Sequence, residues 1–220
     1  MESIKVNIKR DCIEDLKADD NFITAIQLAR IVNSLRSNLR SYTNVSNKDE
    51  LLDTKDRIDL LLIHAALLFE AIQEFSRFRR KLNRFSTWND RKADIERFNN
   101  EISDNNSFTN TILKRIRNKV FFHFDRDVLS DTLQLFNFSD EVTFALGKST
   151  KRGEVTYSLI DDLILTYLVN IANRETPPIK EYDRIEQEIL SLSDILCSVF
   201  DLFTKECLKG KLEFFEISDT

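Results

Sequence analysis

The sequence predicts an all-α fold, an up-and-down bundle of long helices, on three observations. Glycine and proline are scarce, Gly 3 and Pro 2 in 220 residues, so few tight turns interrupt the chain. Long stretches repeat apolar side chains at three- and four-residue steps, as a helix with one buried face requires. Charged residues make up 31%, which suits solvated outer faces, while a hydrophobic fraction of 42% with 17 Phe supplies a sizeable core. One helical domain spanning 1–220 accommodates this length.

Residues 1–18 read two ways. Ile4, Val6 and Ile8 alternate as in a short strand, whereas Cys12, Ile13 and Leu16 are spaced as in a helix. A clearer helix is expected over 20–42, capped by Asp19 or Asp20, with Phe22, Ile26, Ala29, Val32, Leu35 and Leu39 as its buried stripe. After a break at 44–47, Ser46 and Asp49 approximate a capping box for the longest helix, over 49–83. The centre of that helix, from Leu60 to Phe69, is apolar nearly all round, which predicts the middle of a bundle.

A polar helix is expected over 85–103, with a thin apolar stripe of Trp88, Ala93, Ile95 and Phe98. Asp104-Asn-Asn-Ser107 reads as loop and cap, and a further helix as 108–124. A short helix follows at 128–136. The stretch 141–159 carries β-branched and aromatic residues on either side of Gly147 and Gly153, and reads as a small β-hairpin insertion or a long excursion between helices. Helices at 159–173 and 180–208 complete the pattern, divided by Pro177-Pro178.

Composition narrows the function classes. The net charge is -5. From Ile160 onward there are 13 acids and 6 bases, a net of -7; the preceding part, with the remaining 24 acids and 26 bases, stands at +2. A polyanion partner is therefore a matter of local patches rather than of overall charge. Three cysteines, Cys12, Cys197 and Cys207, lack metal-ligand spacing and read as buried reduced thiols. The start has no apolar run of signal-peptide length and no stretch suits a membrane span, so a soluble cytoplasmic protein with no membrane partner is expected. No cofactor or metal motif is visible. Gly147-Lys148-Ser149 lacks the earlier glycine that a phosphate loop needs.

The stretch from Lys114 to Asp125 concentrates the candidate chemistry. It holds one of the two histidines, His123, after Lys114, Arg115, Arg117 and Lys119. On a helix at about 100° per residue, Ile112, Leu113, Ile116, Val120 and Phe124 form the core face, with Arg115 and Asn118 on the far side. Arg117 and His123 then point about 120° apart, so their convergence requires a bulge, fraying or a second subunit.

Arg117-Asn118 followed by His123, with five residues between Arg117 and His123, resembles the motif of the HEPN superfamily: an arginine, a polar residue and then a histidine. The aromatic run Phe121-Phe122-His123-Phe124-Asp125 is most similar to HEPN proteins of the bacterial abortive-infection type. The resemblance implies a helical core over about 20–205 and a metal-independent endoribonuclease, of a toxin or phage-defence kind, without cofactor. It further implies RNA as partner, a homodimer whose two Arg/His sets face one cleft, and possible control by a protein antitoxin or regulator. The catalytic set it implies is Arg117, Asn118 and His123. Arginine can hold two phosphate oxygens through its planar fork, and histidine can move a proton near neutral pH.

Other residues receive plainer readings. Five bases and no acid lie between Ser76 and Arg84; of these, Arg77, Arg79, Arg80 and Lys81, with Lys114, Arg115 and Lys119, are candidate nucleic-acid contacts. His64, inside the apolar centre of the long helix, reads as a neutral hydrogen-bonded core histidine. Glu70 and Glu74 read as surface acids without a third metal ligand. Two alternatives to the enzyme remain: a non-catalytic nucleic-acid or nucleotide-binding module using those bases, and a protein-interaction or antitoxin-like scaffold using Phe121, Phe122 and the acidic C-terminal helices.

Overall fold

The structure, a computed structural model, describes residues 6–9, 13–45, 50–121, 178–209, 211 and 215–217. The expected elements at 128–136, 141–159 and 159–173 lie outside these residues, as do Cys12, Ser46 and Asp49. The described chain is an all-α bundle. Its order is β1 (Val6–Ile8), α1 (Ile13–Ala18), α2 (Asp20–Val45), α3 (Glu50–Leu82), α4 (Thr87–Asp90) and α5 (Lys92–Ser103). Two π-helical turns follow, π1 (Thr109–Leu113) and π2 (Ile116–Phe121), then α6 (Pro178–Leu208) and β2 (Phe215–Ile217). Both readings of the N-terminal stretch are realised: β1 is a strand, paired antiparallel with β2, and α1 a helix.

Three long helices form the frame. Asp19 caps α2, its Oδ1 accepting the Phe22 N–H at 2.7 Å. Pro178 opens α6 at the first helical position, where its missing N–H costs no intrahelical bond. Cross-links set the directions. Lys81 near the end of α3 reaches the Asp20 carbonyl at 2.6 Å at the start of α2, and His64 meets Asn38 midway, so α2 and α3 run antiparallel. Arg57 meets Glu186, and His64 meets Ser193, so α3 and α6 run parallel.

The core lies where α2, α3 and α6 face one another, built from Leu28, Leu35, Leu68, Ile72, Phe75, Leu196 and Phe200 among others. Phe75 is its hub. Its ring lies 5.5 Å from Phe98 of α5, 6.4 Å from Trp88 of α4 and 6.3 Å from Phe200 of α6.

Three local expectations are corrected. The buried stripe of α2 is turned from its expected phase: Leu28, Val32, Leu35 and Tyr42 are buried, but Ile26 is 53% exposed. Choosing Ile26 over Leu28 was open on spacing alone, because α2 has apolar residues on more than one face. The expected helix over 85–103 is two helices, α4 and α5, broken at Arg91. Its stripe keeps Ile95 and Phe98 buried, while Ala93 is exposed.

Candidate functional site

The candidate site is held by the junction between α5 and the π-helical turns. Ser107 caps this junction: its Oγ donates to the Glu101 carbonyl at 2.7 Å and accepts the Asn110 N–H at 3.1 Å. The Asn110 amide donates to the carbonyls of Ile102 and Asp104, and Glu101 Oε2 accepts the Thr109 N–H at 2.8 Å. These bonds satisfy both helix ends and fix where the following segment starts. Ile112, Leu113 and Ile116 are buried as expected from their stripe.

The backbone then departs from α-helical winding. The Lys114 N–H bonds to the Thr109 carbonyl, an i to i+5 closure, and π2 carries Arg117 and Asn118. Such π turns occur mostly as single-turn bulges inside α-helices, frequently at functional sites.

Arg117 is half-exposed, its side chain 37% accessible. Its Nε donates to Glu70 Oε1 of α3 at 2.7 Å, and its Nη1 donates to Asn118 Oδ1 at 3.0 Å. Asn118 therefore does not project away from Arg117; it turns back and takes one of its donors. Glu70 remains 49% accessible, so the pair stands in solvent and is worth at most about 1 kcal/mol. His123 lies outside the described residues.

The other candidate residues fall into distinct groups. Arg79, Arg80, Lys114 and Arg115 are exposed. Arg77 is exposed and pairs with Glu74 one turn earlier on α3. Lys81 is committed to the fold: its Nζ donates to the Asp20 carbonyl and to Thr24 Oγ1, both at 2.6 Å, and pairs with the Asp20 carboxylate. Lys119 has its backbone in π2, and its side chain lies outside the description.

His64 is a buried core histidine, 1% exposed. Asn38 Oδ1 can only accept, so Nδ1–H donates to it at 3.0 Å, and Nε2 accepts the Ser193 hydroxyl at 2.9 Å. Burial pushes its pKa down to about 4, so the ring is neutral at physiological pH. Cys197 and Cys207 are free and buried, and burial raises both thiols.

Glu70 is the residue that sequence reasoning undervalued. It was legible as the first acid after the apolar centre of α3, but nothing local ties position 70 to position 117. Among the described residues no group of His, Cys, Asp and Glu is arranged to hold a metal, and no helix is long and apolar enough to cross a membrane. Comparisons with family models, with curated proteins and with solved structures each find no match.

Proposed function

We propose that the chain is a HEPN-like endoribonuclease in which Arg117 holds the scissile phosphate and His123 handles the proton. The observation that supports it is the state of Arg117. Its guanidinium stands half-exposed on a π turn and already holds two oxygens, one from the Glu70 carboxylate and one from Asn118. A phosphate oxygen could take the carboxylate's place with the same charge-assisted geometry.

In this reading the RNA 2′-hydroxyl attacks the adjacent phosphorus, His123 takes the hydroxyl proton, and the P–O5′ bond breaks as the same histidine returns that proton to the departing 5′-oxygen. Arg117 stabilises the anionic phosphorane between the two steps. Asn118 fixes the orientation of Arg117 rather than changing its charge. A homodimer brings a second Arg/His pair, and the setting is a cytoplasmic toxin or phage-defence system under a protein regulator.

The test is cleavage of RNA by the full chain. Arg117→Ala and His123→Ala should each lower the rate by about 10²–10⁴-fold while the helical signal is kept, and EDTA should leave it intact. Normal cleavage by both variants would sink the reading. The exposure of Arg79, Arg80, Lys114 and Arg115 favours a second reading, a module that holds nucleic acid without cutting it. There, affinity falls steeply with salt and His123→Ala matters little.

A further inference from the structure

Between α2 and α3 runs a groove of ≈ 840 Å³. One wall is a row on α2 at three- and four-residue steps: Ile26, Arg30, Asn33, Ser34, Ser37 and Ser41. The other wall is Ile63 and Leu67 of α3. A smaller hollow of ≈ 130 Å³ shares Arg30, Ser34 and Leu67 with it and carries the groove on to Glu70 and Glu74.

Three features of this groove point to one kind of occupant. Its two walls are rows at helical spacing, and small serines on α2 let another helix axis come close, with its side chains entering the gaps. From Ile26 to Ser41 the row spans about 22 Å at 1.5 Å per residue, the length of about four helical turns. Secondly, the large hydrophobics exposed among the described residues, Ile23 at 41% and Ile26 at 53%, both belong to α2, and Ile26 stands in the groove wall.

Charge supplies the third. Beyond Asp20, α2 carries Arg30, Arg36 and Arg40 and no acid as far as Val45. Arg36 is turned to Asp201 of α6, whereas Arg30 and Arg40 are exposed and have no carboxylate partner among the described residues. At about 100° per residue Arg40 lies some 80° round from Arg30, on the flank of the groove. Among the described residues no aromatic side chain lines the groove to stack a nucleobase, which weighs against a nucleic-acid strand.

We infer that this groove docks an acidic amphipathic helix of a second protein. The apolar stripe of that helix covers Ile26, Ile63 and Leu67, and its carboxylates lie over Arg30 and Arg40. This is helix-in-groove recognition, with burial supplying affinity and the arginines selecting the sign of the partner's charge. A helix seated there runs beside Glu70 and Glu74, whose charges are paired with Arg117 and Arg77, so the surface adjoins the candidate site. The inference stands independently of the ribonuclease reading.

The test uses the full chain and two synthetic stapled helices of about 18 residues, with leucines at three- and four-residue steps and either Glu or Lys elsewhere. Fluorescence anisotropy should give a Kd of about 1–10 μM for the Glu peptide and at least about tenfold weaker binding for the Lys peptide. Ile26→Glu should weaken the Glu peptide by about tenfold or more, and Arg30→Glu with Arg40→Glu should invert the preference, with the helical signal unchanged in each. Equal binding of both peptides, no binding, or indifference to Ile26→Glu overturns the inference. So does self-association of the chain that Ile26→Glu abolishes, which would make a second copy the occupant. An oligoribonucleotide that displaces the peptide from the wild type and loses its own binding in Ile26→Glu overturns it too, in favour of a nucleic-acid track.

Discussion

At the scale of single residues, the burial of His64 has a consequence in pH. Its neutral ring is tied to Asn38 and Ser193, and its folded pKa of about 4 lies below the ordinary 6.5. Below pH 6.5 the unfolded chain binds a proton that the folded chain refuses, so the contribution is complete above 6.5 and is lost as pH falls toward 4. The whole effect is about 3 kcal/mol, at most about 1.4 kcal/mol per pH unit. Urea titrations at pH 7, 6 and 5 should show this loss in the wild type and not in His64→Gln. Parallel slopes for the two proteins would show that the ring titrates normally. At pH 7, His64→Ala should cost about 2–4 kcal/mol, because it opens a cavity and strands the buried Ser193 hydroxyl.

The basic end of α3 is best judged as an element, since neighbours in one run do different work. Lys81 ties the end of α3 to the start of α2 through Asp20 and Thr24, whereas Arg79 and Arg80 stand exposed. Lys81→Ala should lower stability by about 1 kcal/mol in a denaturant titration and scarcely alter any binding of nucleic acid. Arg79→Ala and Arg80→Ala should do the reverse: stability within about 0.5 kcal/mol of wild type, and a salt slope for RNA binding reduced by about 1 for each phosphate that is no longer held. Should Lys81→Ala weaken RNA binding as much as the arginine variants at unchanged stability, the division is wrong. The other end of the helix pair has its own anchor, Arg57 stacked on Tyr42 and bonded at 3.1 Å to Glu186, whose carboxyl burial pushes up.

For the whole molecule, Phe75 is where α3, α4, α5 and α6 meet, and Trp88, the single tryptophan, reports on that meeting. A core shared by elements so far apart in sequence should unfold as a unit. Trp88 fluorescence and far-ultraviolet circular dichroism should therefore follow one transition, and Phe75→Ala should displace both by about 3–5 kcal/mol. Separate transitions for the two signals would mean that α4 and α5 form a unit of their own. The chain ends add a further tie: β1 pairs with β2, and Lys211 bonds to Asp19, whose carboxyl it holds below its usual range.

Most of the described architecture was legible because helix formation is local. Periodicity placed α3 within a residue at each end, the scarcity of Gly and Pro announced long helices, and the cap at Asp19 followed from short-range backbone chemistry; α6 starts at Pro178, two residues before the expected 180. His64 was equally legible, since a lone histidine within an apolar helix centre has to be buried and satisfied. What tertiary structure alone decided is which of several apolar faces turns inward and which distant groups meet. Ile26 is left outside and Leu28 taken in because α6 packs against one side of α2, and no residue of α2 states where α6 will lie. Glu70 reaches Arg117 across 47 positions for the same reason: spacing records how a side chain points on its own helix, while the neighbour it meets is set by how the helices pack.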